Sequence, residues 1–243
     1  MNLTNKQQLP SPFFHAVEEM ERRYKEDDRG DITTTTLLDP PQVVALKKRH
    51  DKELSEDVID RLWALQGQIM HMVLELAAPK GTQVENRIGV EVNGWKVTGK
   101  YDLIEGDTLY DYKYTTVWSY VFGKPEWAEQ ANVNRWLLHK NGTEINRLIL
   151  VLMFRDFVES KVGSKNYPAN KVVQLEVPLW TLDKAEEFIK DRVKLHQKAE
   201  ELADEDLPPC SKTERWWNER KGIFQRCENY CAAKEFCAQY KRS

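Results

Sequence analysis

The sequence predicts an α/β protein with a mixed central β-sheet flanked by helices, and three observations carry that expectation. Strand-like runs with a period of two occupy the middle of the chain, joined by turns as short as Asn93-Gly94. Amphipathic runs at helical spacing lie on both sides of them. Four cysteines gathered at the C-terminus add a clasp to this plan.

Each element can be justified in order. "PSPFFHAVEEMERRYKEDDRGD" opens on prolines, runs as an amphipathic helix and stops at Gly30. "ITTTTLLDPP" reads as extended, because β-branched residues favour a pleated backbone and Pro40 and Pro41 end the run. "QVVALKKRHDKEL" follows as a short helix with a basic end. There Lys47, Lys48, Arg49 and His50 form either a phosphate-binding patch or an ordinary solvated helix end. From Ser55 to Ala78, Val58, Leu62, Leu65, Ile69, Val73 and Leu76 recur at helical spacing and define the face expected to be buried. Ala64, Gly67, His71 and Ala78 line the roughly opposite side, a small-residue stripe that lets another backbone approach and presents one imidazole to it.

"IGVEV", Asn93-Gly94 and "WKVTGKYDLI" then form a hairpin, and a second turn at Glu105–Asp107 returns the chain into "TLYDYKYTT". In this third strand Leu109, Asp111, Lys113 and Thr115 share one face, and Tyr110, Tyr112 and Tyr114 the other. A helix over "EWAEQANVNRWLLHKNG", strands over "RLILVLMFRDF" and "KVVQLEVPLW", and a long charged helix complete the series. The last helix is expected to pack through Leu182, Ala185, Phe188, Ile189, Val193 and Leu195. No internal repeat, phosphate-cradling glycine loop or helicase motif is present, so unwinding or ATP use belongs to another protein, a helicase or recombination partner.

Composition bounds the function. The chain has 243 residues, 41% of them hydrophobic and 10% aromatic, enough for a sizeable core. A formal net charge of −3 advertises no general affinity for polyanions, so any nucleic-acid contact must come from local basic patches. No run approaches the roughly 18 apolar residues of a membrane span. The opening "MNLTNKQQLPSPFF" lacks the basic start and apolar core of a signal peptide, which leads us to expect a cytoplasmic protein with no membrane partner.

The chemistry is concentrated in the hairpins. Asp102 and Asp111 lie on adjacent antiparallel strands, and two carboxylates brought close repel unless a cation stands between them. Hard oxygen donors select Mg²⁺ or Mn²⁺, which keep positions open for water and phosphate oxygens. Lys113 beside them can orient or deprotonate a water, or offset charge building on a phosphorane-like transition state. Carboxylate-x-lysine triplets occur also at Glu159–Lys161 and Glu219–Lys221, but only Asp111–Lys113 has the context. It follows Gly67-x-x-x-His71 on a helix and Gly99-x-x-Asp102 on a strand, and it precedes a helix carrying Gln130.

With these residues in place the chain resembles the RecB-like branch of the PD-(D/E)XK nuclease superfamily, especially phage and CRISPR-associated exonucleases, over roughly residues 32 to 237. The resemblance implies a restriction-endonuclease-like core. It implies metal ligation by His71, Asp102, Asp111 and the Tyr112 backbone carbonyl, and catalysis by Lys113 with the two aspartates. Gln130 matches the start of a Q-x-x-x-Y motif that helps position DNA, but Asn134 stands where the tyrosine belongs, and Trp127 or Trp136 could stack on a base in its place.

Cys210, Cys227, Cys231 and Cys237 look like a set of soft thiolate ligands in a reducing compartment. Relatives carry an iron–sulfur cluster on a C-x2-C-x5-C triple with a fourth cysteine upstream. Here the triple is C-x3-C-x5-C, so the resemblance implies a [4Fe-4S] cluster with Zn²⁺ as the alternative. The expected organisation is an N-terminal helical segment (1–31), a nuclease core (32–205) and a cysteine-cluster region (206–243).

The expected function is a metal-dependent DNA exonuclease of replication, recombination or repair, in a bacterium or a phage-infected cell. The alternatives are an endonuclease using the same site and a non-catalytic DNA-binding module.

Overall fold

The computed structural model describes residues 2–242, and the side chains of all of these except 24–26. The chain begins with strand β1 (Asn2–Thr4), helix α1 (Ser11–Glu26), strand β2 (Ile32–Thr33), and helices α2 (Thr34–Leu38) and α3 (Pro41–Arg49). Next come β3 (Ser55–Asp57), α4 (Val58–Ala77), and the long strands β4 (Gln83–Val92), β5 (Trp95–Glu105) and β6 (Thr108–Thr115). Then follow α5 (Val117–Phe122), α6 (Pro125–Lys140), β7 (Arg147–Phe154), β8 (Val172–Val177) and α7 (Leu182–Glu201). The tail holds β9 (Trp217–Asn218), β10 (Ile223–Phe224), α8 (Gln225–Asn229) and α9 (Ala238–Lys241).

The chain forms two compact units. One comprises residues 28–35 and 63–189, the other residues 1–27, 36–62 and 190–243. The first unit holds a mixed six-stranded sheet in the order β2-β5-β6-β7-β8, with β4 also paired to β5. β4, β5 and β6 form an antiparallel meander, β6 and β7 run parallel, and β8 returns antiparallel to β7. The mixed α/β class expected from the sequence is therefore present, with helices flanking the sheet. The first turn works as its chemistry requires, since Asn93 and Gly94 both take positive φ (50° and 79°), which a type I′ turn needs. The core of this unit gathers Ile104, Leu109, Leu148, Leu150 and Leu152 of the sheet against Ala131 and Leu138 of α6. Each fully buried side chain of this kind contributes about 1.5–3 kcal/mol.

The second unit packs Ala45 and Leu46 of α3 against Ala199, Leu207, Ala233 and Cys237. β1 and β3 pair in parallel within it, and Asp57 accepts hydrogen bonds from Thr4 Oγ1 and the Lys6 amide, both at 2.8 Å.

Three sequence-based expectations are corrected. The threonine run is extended only at Ile32–Thr33 and turns helical from Thr34. The buried Thr34 hydroxyl bonds Asn134 Oδ1 (2.9 Å) and the Thr98 carbonyl (3.2 Å), and these tertiary bonds override the β preference of the run. Helix α4 forms where expected, but its expected apolar face is covered only at the start, with Val58 buried and Leu62 and Leu65 half-buried. Ile69, Val73 and Leu76 are 45%, 50% and 79% exposed, while Gly67 lies over Tyr114 and His71 over Tyr112. Gly67 and His71 of the small-residue stripe face the sheet, where they admit β6 closely and deliver the imidazole to the carboxylates, while Ala64 of the same stripe is exposed. On α7 the inward row is Ala185, Ile189, Val193, His196 and Ala199, with Leu195 exposed. His196 belongs to that row because its Nε2 bonds the Leu37 carbonyl at 3.1 Å, so a polar ring is buried without an orphan.

Candidate metal and thiol sites

The meander creates the first site by coming apart at one point. Pairing of β5 with β6 runs from Glu105↔Thr108 to Leu103↔Tyr110 and stops there, although β6 remains paired with β7 as far as Thr115. One step further in register would set Asp102 opposite Asp111. Instead the Asp102 carboxylate enters the split, and its Oδ2 accepts the Tyr112 amide at 2.7 Å. On the other side the β4–β5 pairing skips the position opposite Asp102, between Val84↔Leu103 and Asn86↔Tyr101. The residue there is Glu85, whose φ of 36° lies in the left-handed region that glutamate seldom adopts. Glu85, Asp102 and Asp111 thus form a row across three strands, with both ladders broken around the middle carboxylate.

Helix α4 brings His71 to this row. Its Nδ1 stands 3.0 Å from Asp102 Oδ1 and 3.6 Å from Glu85 Oε1. His71, Glu85 and Asp102 each offer a ligand atom within 4.8 Å of the others. Glu75, one turn further along the helix, is exposed, and it is Glu85 and Asp102 that hold the ring. Burial pulls the His71 pKa down, but the hydrogen bonds to Asp102 and Glu85 outweigh it and lift the pKa to about 10. The bond to His71, with Lys100 as a second cation, holds Glu85 down at about 2 against its burial. A proton on the imidazole therefore stands where the negative row calls for positive charge.

Asp111 lies on the opposite face of β6 from the tyrosines and is nearly buried. Burial, reinforced by the Asp102 carboxylate, raises its pKa, and Lys113 offsets this only in part. Lys113 Nζ donates to Asp111 Oδ1 at 3.0 Å and to Gln130 Oε1 at 2.9 Å. Asp111 Oδ2, also buried, is ion-paired with the same nitrogen at 2.8 Å. Gln130, anticipated as a DNA contact, here fixes the lysine from α6.

Asn134, in place of the tyrosine of the resembled motif, has a packing role. A Cβ on Gly99 would stand 2.3 Å from Asn134 Oδ1, 2.8 Å from Leu137 and 2.9 Å from Thr34 Oγ1, so β5 and α6 meet where no larger side chain fits. Asn134 Nδ2 bonds the Lys100 carbonyl at 3.3 Å and completes this clamp three residues before Asp102. Trp136 is 2% exposed and Trp127 packs against the core, so burial removes Trp136 from base stacking.

The second site lies in the other unit, where Cys210, Cys227, Cys231 and Cys237, all free thiols, line one cavity beside Gln42 and Arg215. Cys210 Sγ (3.3 Å) and Cys237 Sγ (3.7 Å) both donate to Gln42 Oε1. The Tyr240 amide donates to Cys237 Sγ, and Arg215 Nε to Cys227 Sγ, each at 3.4 Å. Burial pushes the Cys210 thiol up to about 12 and also raises that of Cys231, where Lys47 and Arg226 act in the opposite sense. Of the basic residues at the end of α3, Lys48 pairs with Glu200 (2.5 Å), and Arg49 pairs with Asp204 (2.6 Å) and bonds the Ala199 carbonyl (2.8 Å). Lys47 is exposed.

No known protein family matches the chain, and no curated protein does. Among solved structures, the crystal structure of SSO0001 is similar with a TM-score of 0.60 at 16% identity, over 95% of this chain and 98% of that one. A provisionally assigned exonuclease of Eubacterium rectale reaches a TM-score of 0.38 at 10% identity, over 64% and 60% of the two chains. The first likeness is one of fold alone, and the second is too slight to carry an argument. Among the described residues no helix is long and apolar enough to cross a membrane.

Proposed function

We propose that the protein is a Mg²⁺- or Mn²⁺-dependent DNA exonuclease of the RecB-like PD-(D/E)XK type. The observation that carries this reading is the row Glu85–Asp102–Asp111, with His71 at one end and Lys113 at the other. The donors fit such an ion. Carboxylate oxygens dominate, one imidazole joins them, and Asp111 presents a buried carboxylate whose charge Lys113 offsets only in part. His71, Glu85, Asp102, Asp111 and the Tyr112 carbonyl would hold the metal, which when bound supplies Lewis acidity toward a phosphate oxygen and a more acidic water. Hydrolysis joins the water oxygen to phosphorus and breaks the bridging P–O bond; the proton lost by the water passes to base or solvent, and the leaving oxygen takes one from solvent to become a hydroxyl.

The chain's own residues prepare that step. Asp102 is immobilised by the Tyr112 amide, so its carboxylate is oriented before substrate arrives. Lys113, an ammonium with three donors, spends two on Asp111 and Gln130, which leaves one for a non-bridging phosphate oxygen as negative charge builds there. Gln130 fixes the direction of that donor. In the other unit, four thiols on one cavity with N–H donors directed at two of the sulfurs support a metal–thiolate clasp. The group proposed for them is a [4Fe-4S] cluster, with Zn²⁺ as the alternative that the same four thiolates suit.

The deciding experiment incubates the protein with end-labelled linear and with closed circular DNA, in Mg²⁺, Mn²⁺ or chelator. Stepwise loss of linear DNA only, silenced by chelator and by Asp111→Ala, is the expected result. Cleavage of circles would make it an endonuclease, and binding without cleavage in either metal would leave a DNA-binding module.

A further inference from the structure

Arg215 is 8% exposed, and its Nη2 is buried without a hydrogen-bond partner. Among the described residues no carboxylate comes within ion-pairing distance of it. Its neighbours are committed elsewhere. Glu214 Oε2 accepts the Ser211 amide at 2.7 Å, and Arg226, which lines the same cavity, is paired with Asp39 at 2.7 Å. The Arg215 guanidinium lies 3.4 Å over the Phe224 ring, a contact that uses its face and leaves the edge donors, Nη2 among them, for other partners. Its Nε already points at the Cys227 sulfur. A buried guanidinium cannot shed its proton to escape the cost of burial, so an uncompensated one implies an anion that belongs in the same place.

We propose that Arg215 is the counter-cation of the metal group held by the four cysteines. The proposal rests on reading their cavity as a metal–thiolate site. Four thiols lose four protons to solvent on binding, and four thiolates around one Zn²⁺ or one [4Fe-4S]²⁺ core carry the same net charge of −2. The guanidinium removes one of these charges at the Cys227 side. It acts through the sulfur as a positioning residue and touches no reacting atom of a nucleic acid. For an iron–sulfur group the consequence is directional. One-electron reduction takes the group from −2 to −3, so a fixed cation stabilises the reduced form more than the oxidised one.

The test uses the full chain purified without oxygen and assayed for iron, sulfide and zinc. The parent is compared with two neutral variants, Arg215→Gln and Arg215→Met, so that one folding failure does not end the experiment, and with Arg215→Lys. Release of the bound metal to a chelator is expected to be about 10- to 100-fold faster in the neutral variants, with Arg215→Lys in between. If the metal is iron, titration with dithionite is expected to give a more negative midpoint in the neutral variants, and a midpoint nearer the parent in Arg215→Lys. If it is zinc, the loss shows in competition with a chelator alone. A metal-bearing parent whose neutral variants keep the same release rate and midpoint overturns the proposal and leaves Arg215 a packing partner of Phe224. A parent with neither metal overturns the reading of the cavity as well.

Discussion

Asp102 is held from three directions by other strands and by a helix: its Oδ2 takes the Tyr112 amide, its Oδ1 meets His71, and the ladder opposite it gives way to Glu85. A sheet surrenders backbone pairing on both sides of one residue only where side chains replace those bonds, and here the replacements converge on a place for a cation. Asp102→Asn and Glu85→Gln, each close to isosteric, are expected to weaken Mn²⁺ binding at least about tenfold, with the larger loss at Asp102. Calorimetric titration or the electron paramagnetic resonance signal of free Mn²⁺ measures this without reference to activity. Parent-like affinity in Glu85→Gln would reduce that residue to an ion-pair partner of His71 and Lys100.

Lys113 and Gln130 are expected to separate binding from chemistry. Lys113→Met removes the ammonium and none of the carboxylates, so Mn²⁺ affinity should be kept or rise while cleavage falls about 10²–10⁴-fold. Gln130→Leu leaves Lys113 bound to Asp111 alone, and its effect should be smaller and in the same direction. Single-turnover cleavage at saturating metal reads both, and a Lys113→Met protein that cleaves at the parental rate would remove the lysine from the mechanism.

Much of this arrangement was legible in the sequence, because short turns fix register. Asn93-Gly94 pairs Val92 with Trp95, and the turn at Gly106 pairs Glu105 with Thr108, the second of which sets Asp102 beside Asp111. Counting back along the first hairpin also reaches Glu85 opposite Asp102, so that residue could have been found by the same arithmetic. Its strained backbone could not, since nothing local marks a glutamate that must leave the ladder. The orientation of α4 was hidden for a different reason. Hydrophobic periodicity reports the wider apolar stripe, and in this helix the stripe that docks is the one that carries the imidazole. Asn134 and Arg215 owe their meaning to residues far along the chain, Gly99 and the cysteines, and no window of sequence contains both partners.

The two glycines that precede the site residues should respond oppositely to alanine. At Gly99 an added methyl would meet Asn134, Leu137 and Thr34 at 2.3–2.9 Å, so Gly99→Ala is expected to destabilise by about 1–3 kcal/mol as β5 and α6 are forced apart. At Gly67 the nearest atom is 4.0 Å away, and alanine in a helix interior is favoured by about 1 kcal/mol, so Gly67→Ala should be neutral or stabilising. Urea unfolding distinguishes them. A Gly99→Ala protein as stable as the parent would contradict the close approach.

The His50–Asp204 pair gives a pH signature to the unit that carries the cysteines. His50 Nε2 lies 2.7 Å from Asp204 and Nδ1 2.7 Å from Glu53, while the ring stacks on Phe236 at 3.9 Å. Hydrogen bonds to Asp204 and then Glu53 raise the His50 pKa, and bonds from His50 and Arg49 lower that of Asp204. A histidine whose folded pKa is raised contributes stability that is fully present below its unfolded value of about 6.5 and is lost as pH rises through the folded value. Asp204, lowered on folding, contributes above its unfolded value of about 3.9 and loses that contribution as pH falls through the folded value. The pair therefore stabilises most at mildly acidic pH, between the two ranges. Replacing His50 by Gln keeps a polar side chain and removes the titrating charge. The stability difference between parent and His50→Gln is thus expected to be greatest near pH 5.5 and to shrink steadily toward pH 9. Chemical unfolding followed by tryptophan fluorescence across that range reads the difference directly, and a gap that does not narrow with rising pH would show that the ring acts through Phe236 stacking alone.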